Sequence, residues 1–156
     1  MGDEKTDNPG VIAPPPLIYA GALAAGMVAN RRLRLRFLPR RLALTIGPAL
    51  VACGIAAGLL AFREMRGAGT NVDPYEPATA LVTEGPYRFT RNPIYVGFTL
   101  VYVGISALAN ALTPIMLLPA VFAVMRRGVI EREERYLERV FGEEYLQYKG
   151  RVRRWI

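Results

Sequence analysis

No Asp, Glu, Lys or Arg occurs in residues 11–30, 42–62 or 92–125. About 20 apolar residues are enough for a helix to cross a hydrocarbon layer, so the middle run suffices by itself. The last run, at 34 residues, is too long for one straight crossing. Asn110 and Pro114 near its middle mark a turn. It reads as a hairpin of two short helices, 94–109 and 113–127, each reaching about 25 Å at ~1.5 Å per residue. The first run is interrupted by Pro14, Pro15 and Pro16, which leaves 17–30 as a short helix. A signal peptide is the competing reading there. The acidic start (Asp3, Glu4, Asp7) and the "NRRLRLR" after the apolar stretch argue against it.

The expected architecture is all-α and polytopic. About four transmembrane helices (11–30, 42–62, 94–109, 113–127) lie in one domain, 1–156, followed by an amphipathic C-terminal helical segment. With 52% hydrophobic residues the chain is rich in apolar side chains for its length. Cys53, the one cysteine, sits mid-span, which excludes a disulfide framework or a Cys-based metal site. There is no histidine, hence no ordinary neutral-pH base and no commonest metal ligand; no metal is expected. The net charge of +7 comes from span boundaries and points to lipid head groups rather than nucleic acid.

A hairpin returns the chain to the side it left, so 63–91 and 126–156 share one face. That face and the N-terminal tail hold 14 of the Lys and Arg residues, against six in the loop 31–41. The positive-inside rule then places the shared face in the cytoplasm. "GIAAG" at Gly54–Gly58 is a small-residue step suited either to a contact within the bundle or to a homodimer.

On the shared face, "GPYRFTRNPIYVG" (85–97) sets a helix start, Asn92-Pro93, beside Arg88, Arg91, Tyr87 and Tyr95. Gly85 and Gly97 allow close backbone approach. Free N–H groups and arginines together suit a carboxylate, while interfacial anchoring and an aromatic belt are the bland alternatives. At about 100° per residue, Ile130, Leu137, Phe141, Tyr145 and Tyr148 form one stripe with Glu134 inside it and Glu133 at its edge. Glu144 also projects there, and a surface helix with solvated pairs remains the plain reading. Arginines, carboxylates and tyrosines without histidine, metal ligands or a nucleophile triad suit transfer from an already activated donor such as a sulfonium.

The motif "GPYRFTRNPIYVG", followed beyond a hydrophobic hairpin by "EREERYLERVFGEEYLQYKGRVRRWI", resembles the isoprenylcysteine carboxyl methyltransferase and phospholipid methyltransferase superfamily. The resemblance covers about residues 69–154. It implies S-adenosylmethionine as cofactor, S-adenosylhomocysteine as product, and a methyl group facing a tunnel open to the bilayer. It also implies that 63–92 and 128–156 enclose the cofactor. Carried over by position, Gly85, Tyr87, Arg88, Asn92, Tyr95, Gly97, Glu133 and Glu134 would contribute to cofactor binding. Arg91, Arg127 and Glu134 would serve catalysis. Asn92 stands where the family usually has histidine, so it cannot titrate.

The expected function is methyl transfer to a lipid-like or prenylated acceptor, with a carboxylate or thiol favoured because a carboxylate or thiolate needs no base. Phospholipid N-methylation would require one, with Glu134 the candidate. A non-catalytic membrane adaptor or small-solute carrier is the alternative of another class. The expected partners are the bilayer and an amphipathic acceptor.

Overall fold

The computed structural model describes residues 8–156. The charges of the first seven residues therefore lie outside the described part. Among the described residues every regular element is helical. α1 (Pro15–Leu33) starts with prolines in its first turn, where the missing N–H is not needed. It begins later than the uncharged run: residues 11–14 are not helical, Val11 is buried, and the Ile12 N–H donates to Gly128 O at 3.1 Å. α2 (Arg40–Gly67), 28 residues long, extends past the uncharged run at both ends.

α3 (Pro93–Leu108) and α4 (Leu112–Met125) form the expected hairpin, and Asn110 makes the turn at φ 47°. A π-helical turn, Arg126–Ile130, carries α4 without a break into α5 (Glu131–Arg151). α5 is not the continuous stripe that regular spacing predicts. Gly142, at φ 52° and ψ −126°, kinks it, a conformation that glycine tolerates and other residues rarely adopt.

α2 and α3 pack backbone to backbone. A Cβ placed on Gly54 would lie 2.6 Å from Gly97 O, and one on Gly97 would lie 2.7 Å from Gly54 O. Gly47 and Gly104 repeat the contact seven residues away in each helix, so the two helices run antiparallel. Gly54 is thus used inside the chain, while nothing lies within 4 Å of a Cβ on Gly58.

α1 covers α3 and α4. Tyr19 stacks edge-on against Tyr102, whose hydroxyl donates to Pro114 O at 2.8 Å. The core gathers Tyr19, Tyr95, Tyr102, Met125, Val129 and Ile130.

Apolar side chains also cover the outside. Leu59 is 63% and Ile55 51% exposed along α2. Patches of that extent are foreign to a surface in water. α2 and the continuous helix Leu112–Arg151 are each long and apolar enough to cross a membrane, while α3 is apolar but shorter. The chain is membrane-associated by these criteria.

Candidate functional site

The site forms where the segment before α3 meets α5. Gly85, at φ 58°, opens a short 3-10 turn (Gly85–Arg88), and a Cβ there would meet the Glu64 side chain at 2.8 Å. The turn buries Tyr87 and sends Arg88 outward. Arg88 pairs with Glu84 at 3.2 Å, and its side chain is 67% exposed. Of the two arginines in the motif it is Arg91, three residues on, that faces α5. Arg91 Nη1 lies 3.2 Å from Glu134 Oε1 and 3.5 Å from the Tyr145 hydroxyl.

Glu134 is also held from the other side. Arg154 donates through Nε (2.9 Å) and Nη2 (2.6 Å), a two-point grip on a carboxylate that is only 9% exposed. The tail bearing Arg154 is tied to the same loop. The Arg91 N–H donates to Arg153 O at 2.9 Å, while Thr90 Oγ1 (3.0 Å) and Asn92 Nδ2 (2.9 Å) both donate to Arg154 O. Asn92 sits at the N-cap position of α3, yet its side chain does not cap the helix; it binds the tail.

Glu133 lives differently from its neighbour. It accepts a hydrogen bond from the Tyr95 hydroxyl at 2.5 Å. It is partly buried and lines the cleft. Desolvation therefore pushes its carboxyl up to about 7, against the smaller opposing effect of the Tyr95 bond. Burial likewise raises the Tyr145 hydroxyl to about 12 and moves Tyr87 and Tyr148 upward. The Tyr148 hydroxyl donates to Tyr87 O at 2.8 Å, so the half of α5 beyond Gly142 closes on the 3-10 turn.

Two adjoining cavities of about 160 and 110 Å³ share Tyr87, Arg91, Asn92, Glu133 and Leu137 as walls. The loop 69–79 roofs the larger one with Asn71, Asp73 and Glu76. It is anchored by Ala78 N–H donating to the Tyr136 hydroxyl at 3.0 Å. Arg91 Nε is buried and has no hydrogen-bond partner. An unsatisfied buried guanidinium donor is costly. The cleft suits a ligand carrying both a carboxylate and a positive or hydroxyl-rich part. Separately, an apolar groove of about 650 Å³ lies between α3 and α4, with Val96, Leu100, Phe122 and Trp155 as walls and Arg126 at its edge.

Of the residues the sequence analysis singled out, the cleft collects Tyr87, Arg91, Asn92, Tyr95, Glu133 and Glu134. Four others stand elsewhere. Gly97 serves the α2–α3 seam and Gly85 backs onto Glu64. Arg88 faces outward with Glu84, and Arg127 is exposed. Sequence reasoning missed Arg154, Asp73 and Glu76. The repeated arginines of "RVRRWI" were visible, but only the returning tail distinguishes Arg154 from its neighbours.

An all-helical apolar scaffold with this charged cleft at one end defines the class, and comparison with known proteins gives the lineage. Residues 42–144 match the family model described as phospholipid methyltransferase, and the chain belongs to that family. Among curated proteins it is 38% identical over 72 residues to the cobalt-zinc-cadmium resistance protein CzcN of Cupriavidus metallidurans, covering 46% of this chain and 33% of that protein. Identity to protein-S-isoprenylcysteine O-methyltransferase B of Arabidopsis thaliana is 41% over 76 residues, 46% of this chain and 36% of that one. Identity to the human protein-S-isoprenylcysteine O-methyltransferase is 42% over 74 residues, 46% of this chain and 25% of that one. The matched segments thus span about a third or less of these relatives' own length. No solved structure matches the chain.

Proposed function

We propose that the chain is an integral membrane methyltransferase that uses S-adenosylmethionine and methylates a lipid-like acceptor bearing a carboxylate or thiol. The observation that carries this reading is a cleft lined by the desolvated Glu133 and by Arg91, whose buried Nε has no hydrogen-bond partner. In this reading α1, α2, α3 and α4 cross the bilayer, α5 and the loop 63–92 enclose the cofactor, and the cleft faces the cytoplasm. Two of the relatives reported above are named as isoprenylcysteine O-methyltransferases, which favours an oxygen acceptor on a prenylated molecule.

The cofactor's sulfonium supplies an activated methyl group when bound. Arg91, oriented by Glu134, holds a carboxylate through Nε. Glu133 and the faces of Tyr87 and Tyr95 receive the cationic or hydroxyl-bearing part. Tyr145 and Tyr148, folded over the turn, keep water from the cleft and gain rate by positioning and desolvation. A carboxylate acceptor needs no proton removed, and the groove between α3 and α4 offers its apolar portion a path from the bilayer.

Glu134, held by two arginines, acts as a positioning residue for Arg91. If the acceptor is an amine, as phospholipid N-methylation requires, Glu133 takes the proton, because its carboxyl near 7 matches that task. Calorimetry with S-adenosylmethionine on the detergent-solubilised chain tests the reading. Binding is expected for the wild type and is weakened about a hundredfold in Arg91→Ala. Absence of binding by the wild type would leave the adaptor or carrier alternative standing. Radiolabelled transfer to a farnesylcysteine analogue or to phosphatidylethanolamine separates the two acceptors.

A further inference from the structure

The opposite end of the bundle carries a second built feature that the methyl-transfer reading does not use. The loop between α1 and α2 holds Arg31, Arg32, Arg34, Arg36, Arg40 and Arg41, and no acidic residue lies from 8 to 63. None of the six pairs with a carboxylate among the described residues.

The loop is nevertheless rigidly mounted. Asn110 Oδ1 accepts from the N–H groups of Phe37 (3.1 Å) and Leu38 (3.0 Å), and Asn110 Nδ2 donates to Leu38 O at 2.7 Å. The Leu112 N–H donates to Leu35 O at 3.1 Å, and Thr113 Oγ1 hydrogen-bonds Asn30 Oδ1 at 2.8 Å. Arg34 turns the chain in the left-handed region at φ 52°.

Two cavities of about 410 and 340 Å³ open against this loop and share Arg36 and Asn110. Arg40 lines the first and Arg34 the second. Arg31, Arg32 and Arg41 line neither. Arg40 and Arg41 also open α2, at the positive pole of a 28-residue helix with no acidic residue in its first turn and no side-chain cap. Mounting so much like charge on a fixed loop is unfavourable without an anion.

Leu44 and Leu108 continue the wall of the larger cavity and are exposed. A bound group must therefore match charge at one end and apolar surface at the other. We propose that Arg34, Arg36 and Arg40 bind the phosphate head group of one anionic lipid, whose acyl chain lies along Leu44 and Leu108. This rests on the four-crossing placement, which sets the loop at the leaflet opposite the cleft, and not on methyl transfer.

The test is native mass spectrometry of the full detergent-solubilised chain with phosphatidylglycerol or phosphatidylcholine. One phosphatidylglycerol adduct is expected, preferred roughly 150-fold over phosphatidylcholine, as three head-group arginines would supply. Arg36→Gln/Arg40→Gln should cut the preference to about fivefold, which Arg34 alone would supply. The charge-matched control Arg31→Gln/Arg32→Gln should retain it within about twofold. Should the first double variant fail to fold by circular dichroism, the single variants Arg36→Gln and Arg40→Gln carry the same comparison.

Equal losses in both double variants would mean diffuse attraction and overturn the site. No head-group preference in the wild type would overturn it as well. Binding of inorganic phosphate as tight as that of the lipid would overturn the lipid assignment. None of these readouts depends on cofactor binding, so this proposal and the methyltransferase reading fail separately.

Discussion

Helices α2 and α3 meet through a glycine seam, whereas α5 meets the start of α3 through a charged clamp. The seam is backbone against backbone: Gly54 on Gly97 and Gly47 on Gly104, with no room for a methyl group. The clamp is Arg91, Glu134 and Arg154, joined by directed bonds of 2.6 to 3.2 Å. Close packing of small residues is indifferent to pH and salt but tolerates no added atom. A charge network tolerates some change of shape but depends on protonation and on every partner being present. The seam therefore serves as scaffold, and the clamp holds the walls of the cleft.

The sharpest way to break this contrast is at the seam. Gly54→Val sets its Cβ against backbone that cannot yield, and a loss of about 3 kcal/mol or more is expected from thermal unfolding in detergent. If Gly54→Val unfolds like the wild type, the seam does not exist as described.

At the clamp, Arg91→Ala should weaken S-adenosylmethionine binding about a hundredfold, since it removes a charge-assisted contact. Stability should fall less than for Gly54→Val, because Arg154 still neutralises Glu134.

pH separates the two regions further. Glu133 has a folded value raised to about 7 from 4.5. The ligand-free fold keeps a proton there that the unfolded chain has already released. Its contribution to stability is thus fully present below 4.5 and is lost as pH rises through about 7. Binding of a cationic donor runs the other way: below pH 7 the affinity should fall up to about tenfold per pH unit. Glu133→Gln should flatten both profiles, whereas seam variants should keep them. Thermal unfolding at pH 6, 7 and 8 reads the first effect, and calorimetry across the same range reads the second.

Arg154→Ala should cost about fivefold in cofactor affinity with little change in turnover at saturating cofactor, and Arg154→Lys should restore part of it, as a positioning role requires. The smallest effect belongs to Gly58→Ala, expected within about 0.5 kcal/mol of wild type, since the Cβ enters open space. It lies four residues from Gly54 on the same helix, so the pair isolates the seam from helix propensity.

Much of the scaffold was legible in the sequence. Uncharged runs of this length leave few alternatives to apolar helices, and Asn110 announced the hairpin turn where it occurs. The cleft was legible as a pair of segments, because both carry polar groups beside apolar runs. Their fine assignment was not. Arg88 and Arg91 are equivalent on paper, and only the phase of the 3-10 turn decides which faces α5. Regular helical spacing carried the aromatic stripe through Gly142, where the backbone leaves the helix. The two glutamates look interchangeable in "EREER". One is held by two arginines and the other is desolvated against Tyr95.

By itself, the order of residues determined that the chain is helical, apolar on its outer faces and charged at the ends of its helices, since hydropathy and charge are properties of local stretches. The tertiary structure alone decided that Gly54 meets Gly97, that Arg154 returns to grip Glu134, and that Arg91 keeps one donor unsatisfied in the cleft. Those contacts join residues between 20 and 43 positions apart, and their distances depend on helix phase, kinks and chain reversal, which no local pattern specifies.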